Sequence, residues 1–71
     1  MAAFPVLQMR ARQALRQSPI PALRTLQVEE TDHQIVLSGS VSSYYLKQLA
    51  QETIMPILDG RELHNRLTVS K

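Results

Sequence analysis

Gln34-Ile35-Val36-Leu37-Ser38-Gly39-Ser40-Val41 is the stretch whose pattern decides the fold. In an extended chain Ile35, Leu37, Gly39 and Val41 share one face, and Gln34, Val36, Ser38 and Ser40 share the other. One face is apolar and the other mostly polar, as in a strand that covers a core on one side only. Gly39 weakens a strand and carries no side chain, so it marks a bulge or the close approach of a helix.

Working outward, Arg24–Glu30 reads as a preceding strand with Leu26 and Val28 turned inward. Thr31-Asp32-His33 is turn chemistry, because an Asp side chain can fold back on the backbone. The two strands therefore form a hairpin. Further upstream, Pro5 to about Gln17 reads as a helix. Pro suits its first position, and Leu7, Ala11, Ala14 and Leu15 recur at helical spacing. Ser18-Pro19-Ile20-Pro21 stops it. Residues 1–5 read as a flexible N-terminal extension, with residues 6–70 as one domain.

Downstream, Ser42 or Ser43 caps a second helix that runs to about Leu58. Leu46, Leu49, Ala50, Thr53, Ile54, Ile57 and Leu58 form its apolar stripe. Pro56 removes a backbone hydrogen bond late in this helix and predicts a kink or a looser last turn. Gly60 ends the helix with freedom to adopt positive φ. Leu63, Asn65, Leu67 and Val69 then alternate with His64, Arg66, Thr68 and Ser70 as a third strand. The fold class is α+β, in the order helix, strand, strand, helix, strand. A small mixed three-stranded sheet with both helices on one face buries every apolar stripe. Periodicity does not fix the strand order.

The chain has 71 residues and no cysteine. That length suits one domain, and it leaves little room for a buried catalytic pocket beside a core. Disulfides, thiolate metal sites and cysteine nucleophiles are excluded. No apolar run approaches the roughly 20 residues that a membrane-spanning helix needs. The start lacks a basic segment followed by a sustained apolar one, so no signal peptide is read. The expected location is the cytoplasm if the chain is complete. It is the periplasm or a membrane surface if the chain is part of a longer bacterial protein.

Charge is unevenly spread. Arg10, Arg12, Arg16 and Arg24 are the only charged side chains up to Val28, and all six acids follow. Such a segment is either a solvated helix face or an arm that attracts anionic surfaces. Tyr44 is expected to point outward, where its ring suits a headgroup layer, and Tyr45 to lean toward Leu49. Asn65 alternates with apolar residues, so its amide must find partners at the core; it ties down a neighbouring segment or contacts a ligand.

These residues together resemble BON domains. The resemblance rests on Ala14-Leu15, on Leu26 and Val28, and on Val36-Leu37-Ser38-Gly39-Ser40-Val41. It continues through Ala50, Gly60 and Leu63-His64-Asn65-Arg66-Leu67-Thr68-Val69, spanning about residues 6 to 70. Two positions depart from the family pattern: Thr31-Asp32-His33 stands where a glycine is usual, and Pro56 interrupts the second helix. The resemblance implies a non-enzymatic module of bacterial envelope and stress proteins that meets phospholipid or a small ligand. It brings no shared catalytic residues. Gly39, Ala50, Gly60 and Asn65 would then be structural positions.

Candidate lipid contacts are Arg10, Arg12, Arg16, Arg24 and Tyr44, with an anionic phospholipid or a small ligand as the partner. A protein-interaction or self-association module is the alternative, since a small sheet has edges that can pair. Catalysis is not expected. The acids are scattered, no serine sits in a nucleophile elbow, and the two histidines lack ligand spacing. No cofactor is expected. Nucleic acid is disfavoured, because the open sheet face (Thr25, Gln27, Glu29, Val36, Ser38, His64, Arg66 and Thr68) has no stacking aromatic and no Gly-X-X-Gly loop is present. A cation site made of backbone carbonyls would leave almost no trace in a sequence and stays open.

Overall fold

The computed structural model describes residues 6–70. The expected N-terminal extension at residues 1–5 lies outside the described residues. Helix α1 spans Val6–Arg16 and buries Leu7, Ala11 and Leu15, one face at i, i+4 and i+8. Its amino end is held by a residue far away in sequence. The carboxylate of Glu30 accepts the backbone N–H of Gln8 at 2.9 Å, and the Gln8 side-chain oxygen accepts the N–H of Glu30 at 3.0 Å. One of the helix's four orphan N–H groups is thereby satisfied. The second Glu30 oxygen meets Arg61 at 3.0 Å.

The chain between α1 and the first strand is not plain extended coil. Pro21–Leu23 forms a 3-10 turn in which Arg24 N–H bonds Pro21 O. The turn drives Leu23 into the core, where it is 0% exposed. Strand β1 consequently starts at Gln27 and runs to Glu30, three residues later than the expected Arg24. Leu26 still faces inward, from the turn and not from the strand. Arg24 Nε donates to the carbonyl of Ser18 at 2.8 Å and fastens the end of α1.

Strand β2, Gln34–Ser38, pairs antiparallel with β1, with Val28 opposite Leu37. The turn between them is closed by Thr31 and not by Asp32. The Thr31 hydroxyl accepts the N–H of Gln34 and donates to its carbonyl. Strand β3, Ser40–Val41, is cut from β2 at Gly39. Gly39 has φ +133°, and a Cβ there would sit 2.9 Å from Leu26 Cδ2. The expected close approach is real, but it comes from Leu26 and Leu67 side chains and not from a helix.

Helix α2 spans Tyr44–Ile54, and Ser43 caps it by accepting the N–H of Leu46 at 3.2 Å. Ala50 and Ile54 are fully buried against the sheet. Where a helix to Leu58 was expected, the chain tightens into a 3-10 turn at Met55–Ile57. Pro56 has no N–H to give an α-helical bond, and the tighter turn needs none from it. Asp59 and Gly60 follow at φ 50° and 86°.

The expected third strand is also cut in two, as β4, Glu62–Asn65, and β5, Thr68–Val69. Strand β4 lies parallel to β2, and β5 lies parallel to β3. Leu37 stands opposite Asn65, and Ser40 stands opposite Thr68. The offset is the same on both sides of the break, so both strands bend together and neither gains a bulge residue. Asn65 sits at the bend. Its amide donates to Lys47 O at 3.2 Å and to Gln51 Oε1 at 3.3 Å in α2, and its oxygen accepts the N–H of Leu67 at 3.2 Å. The strand order is β1-β2-β4, a small mixed sheet in an α+β fold, with β3-β5 as its bent continuation. Leu15, Leu23, Val28, Ile35, Leu37 and Ile54 fill the space between sheet and helices.

Two pairs of substitutions test this arrangement. Gly39→Ala should cost about 2–4 kcal/mol, since it adds strain at positive φ and a collision with Leu26. Gly60→Ala, where a Cβ meets nothing within 4 Å, should cost only about 1 kcal/mol. Thermal unfolding would rank them; equal shifts would refute the wedge at Gly39. Arg24→Ala should cost about 1–2 kcal/mol through the lost Ser18 bond. Arg12→Ala, at an exposed position, should stay within about 0.5 kcal/mol of the parent in the same assay.

Candidate functional site

Helix α1 advances about 100° per residue, which separates the four arginines. Arg12 and Arg16 lie one turn apart on the flank that faces β1. Arg10 lies roughly 120–160° around the helix from them, on the other flank. Arg24 reaches the Arg12–Arg16 flank because its Nε is tied to Ser18. A groove of about 430 Å³ results between α1 and β1, lined by Gln8, Arg12, Arg16, Arg24, residues 25–28 and Glu29. Thr25, Gln27 and Glu29, all expected on the open sheet face, line this groove.

The groove is cationic. Glu29 is its only acid, and among the described residues Arg12, Arg16 and Arg24 form no salt bridge with a carboxylate. The nearby Glu30 carboxylate is already shared between Gln8 and Arg61. A second, shallower hollow of about 320 Å³ lies on the outer face of α1, lined by Met9, Arg12, Gln13 and Arg16. Arg12 and Arg16 belong to both. Met9, 62% exposed, thus stands as an apolar side chain among cations.

The two ends of the molecule differ. The amino end of α1, the β1–β2 turn and Arg61 meet at one end, joined through Glu30. Strand β2 runs away from that end and α2 returns to it, so α2 begins at the opposite end. The close of α1, Arg24 and the 3-10 turn at Pro21–Leu23 lie there too, and that turn touches α2. Arg16, Arg24 and Tyr44 therefore share one end. Tyr44 is 73% exposed, as its outward reading requires, but Tyr45 is 71% exposed and does not lean on Leu49. The reason is helical phase. Tyr45 lies about 140° around α2 from the buried Ala50, and Tyr44 about 120°.

Of the candidate contacts, the structure gathers Arg12, Arg16 and Arg24, places Tyr44 at the same end, and leaves Arg10 apart. Gln8 and residues 25–29 were not foreseen as part of any site. Gln8 meets Glu30 across 22 positions, and no local pattern announces such a pair. The groove offers charge and hydrogen-bond donors, which suit an anion. Among the described residues no three His, Asp or Glu side chains gather as metal ligands, and no helix is long and apolar enough to cross a membrane.

The residues named as structural have clear surroundings. Gly39 faces Leu26, Gly60 takes a left-handed φ, Ala50 lies on the buried face of α2, and Asn65 bonds α2.

The model of the BON domain matches residues 5–71, nearly the whole chain. None of the curated proteins compared matches it. The BON domain is a binding-type domain and not a catalytic family. The chain belongs to the BON domain family.

Proposed function

We propose that this chain is a non-enzymatic binding module that docks on anionic phospholipid surfaces. The observation that carries the reading is the convergence of Arg12, Arg16 and Arg24 on one groove, with exposed Met9 beside the first two. Guanidinium groups pair with phosphate oxygens through forked N–H donors. Met9 and Tyr44 would enter the headgroup layer, where an apolar body with a polar edge is favoured. The family's association with phospholipid binding supports this ligand class.

The size of the effect can be bounded. A basic side chain near an anionic membrane contributes about 1 kcal/mol, so three give a weak, salt-sensitive attachment. Stable residence at a membrane then requires repetition of the module or a second anchor.

The test is co-sedimentation with anionic and with zwitterionic vesicles, at low and at near-physiological salt. Binding should appear on anionic vesicles alone and weaken as salt rises. Arg12→Glu should reduce it on the order of tenfold or more, since a favourable charge becomes a repulsive one. Arg10→Glu makes the same charge change on the far flank and should retain most of the binding. Equal losses from the two variants would reduce the groove to bulk charge attraction, and no binding by the parent would sink the lipid reading.

A further inference from the structure

The two edges of the sheet are treated differently. The β1 edge is closed. Glu30 N–H is taken by Gln8, Leu26 N–H by Leu23 O, and Val28 is 2% exposed. Among the described residues the β4 edge has no strand beyond it. Glu62 N–H bonds His33 O and Arg66 N–H bonds Leu37 O, both toward β2. By the alternation of a parallel ladder His64 also turns toward β2, which leaves the N–H and C=O groups of Leu63 and Asn65 pointing outward. Both residues are half-buried, not sealed.

We propose that β4 is a self-association edge whose occupant is the β4 of a second copy, paired antiparallel about a two-fold axis at His64. In that register Leu63 of each copy faces Asn65 of the other. Each such pair exchanges two main-chain hydrogen bonds, four in all. A slip by one residue would bring inward-bonded residues to the seam and lose them.

Charge selects among the registers that remain. With His64 on the axis, Glu62 of each copy stands opposite Arg66 of the other, so two opposite-charge pairs form on the open sheet face. Glu62 is 83% exposed as a side chain; its one charged neighbour among the described residues is His64 of its own strand, at a loose 4.0 Å, so it can turn to that contact. Centring the axis on Leu63 removes Arg66 from Glu62. Centring it on Asn65 sets Glu62 against Thr68 and again removes it from Arg66. Opposed cross-strand charges stabilise a pair and like charges destabilise it. The surface is thus complementary to itself, as a two-fold contact demands. The product is a continuous six-stranded sheet, β1-β2-β4-β4-β2-β1, with an arginine groove at each outer edge.

Sedimentation of the full chain up to about 1 mM measures the association, since an interface this small is weak. The parent should form dimers. Glu62→Arg and Arg66→Glu should each weaken self-association on the order of tenfold or more, because both pairs become like-charged. An equimolar mixture of the two variants should dimerise again, because each repulsive pair is then replaced by an attractive one. Circular dichroism checks that both variants stay folded. In the dimer, the Leu63 and Asn65 amides should gain protection from hydrogen exchange. A parent monomeric throughout the range, a mixture that stays monomeric, or Leu63 and Asn65 amides unchanged on dimerisation would each overturn the proposal.

Discussion

The contact between Leu26 and the bare backbone of Gly39 is the constraint on which most of the molecule depends. Leu26 fills the space where a side chain on residue 39 would be. With that space filled, β2 bends into β3, and the parallel partner bends with it. Leu67 reaches the same point from the other strand. Leu26 can stand there only because the Pro21–Leu23 turn shortens the path from α1. The same turn brings Arg24 back to Ser18, and through it to the arginines of α1. The groove is therefore a by-product of how the core is wedged, and its geometry rests on apolar packing as much as on charge.

Much of this was legible in the residues. The alternation through Ile35, Leu37 and Val41 is dictated by a half-buried strand, and these residues are buried as it requires. Ser42 or Ser43 reads as a cap because hydroxyls satisfy orphan N–H groups, and Ser43 is the one that caps; Gly60 takes the positive φ read for it, though the α-helix ends earlier, at Ile54. What escaped has a common physical cause. Leu23 sits between a proline turn and a strand, where no period exists to show burial. Glu30 and Gln8 meet through tertiary placement alone. The cut between β4 and β5 is invisible to a period of two, because Asn65 keeps its side in the alternation while its oxygen turns the backbone at Leu67.

The site was legible in kind and not in membership. An acid-free run of arginines announces a cationic surface, but helical phase decides which of them share a face, and it sets Arg10 aside. Arg24 joins through a backbone carbonyl bond that sequence does not show. The sheet edges follow the same logic. Pairing order, unseen in the residues, determines that β1 is sealed by a glutamine side chain while β4 is left with outward donors and acceptors.

The unbroken offset between the two bent strands has a consequence for how such a chain can change length. Leu37 opposite Asn65 and Ser40 opposite Thr68 keep one spacing through the bend. A residue gained or lost between Gln34 and Val41 would turn every later side chain to the wrong face unless a matching change arose between Glu62 and Val69. Insertions and deletions therefore cost most in the paired segments. They cost least in the connection after Ile57, where the exposed residues Asp59 and Gly60 pair with no strand.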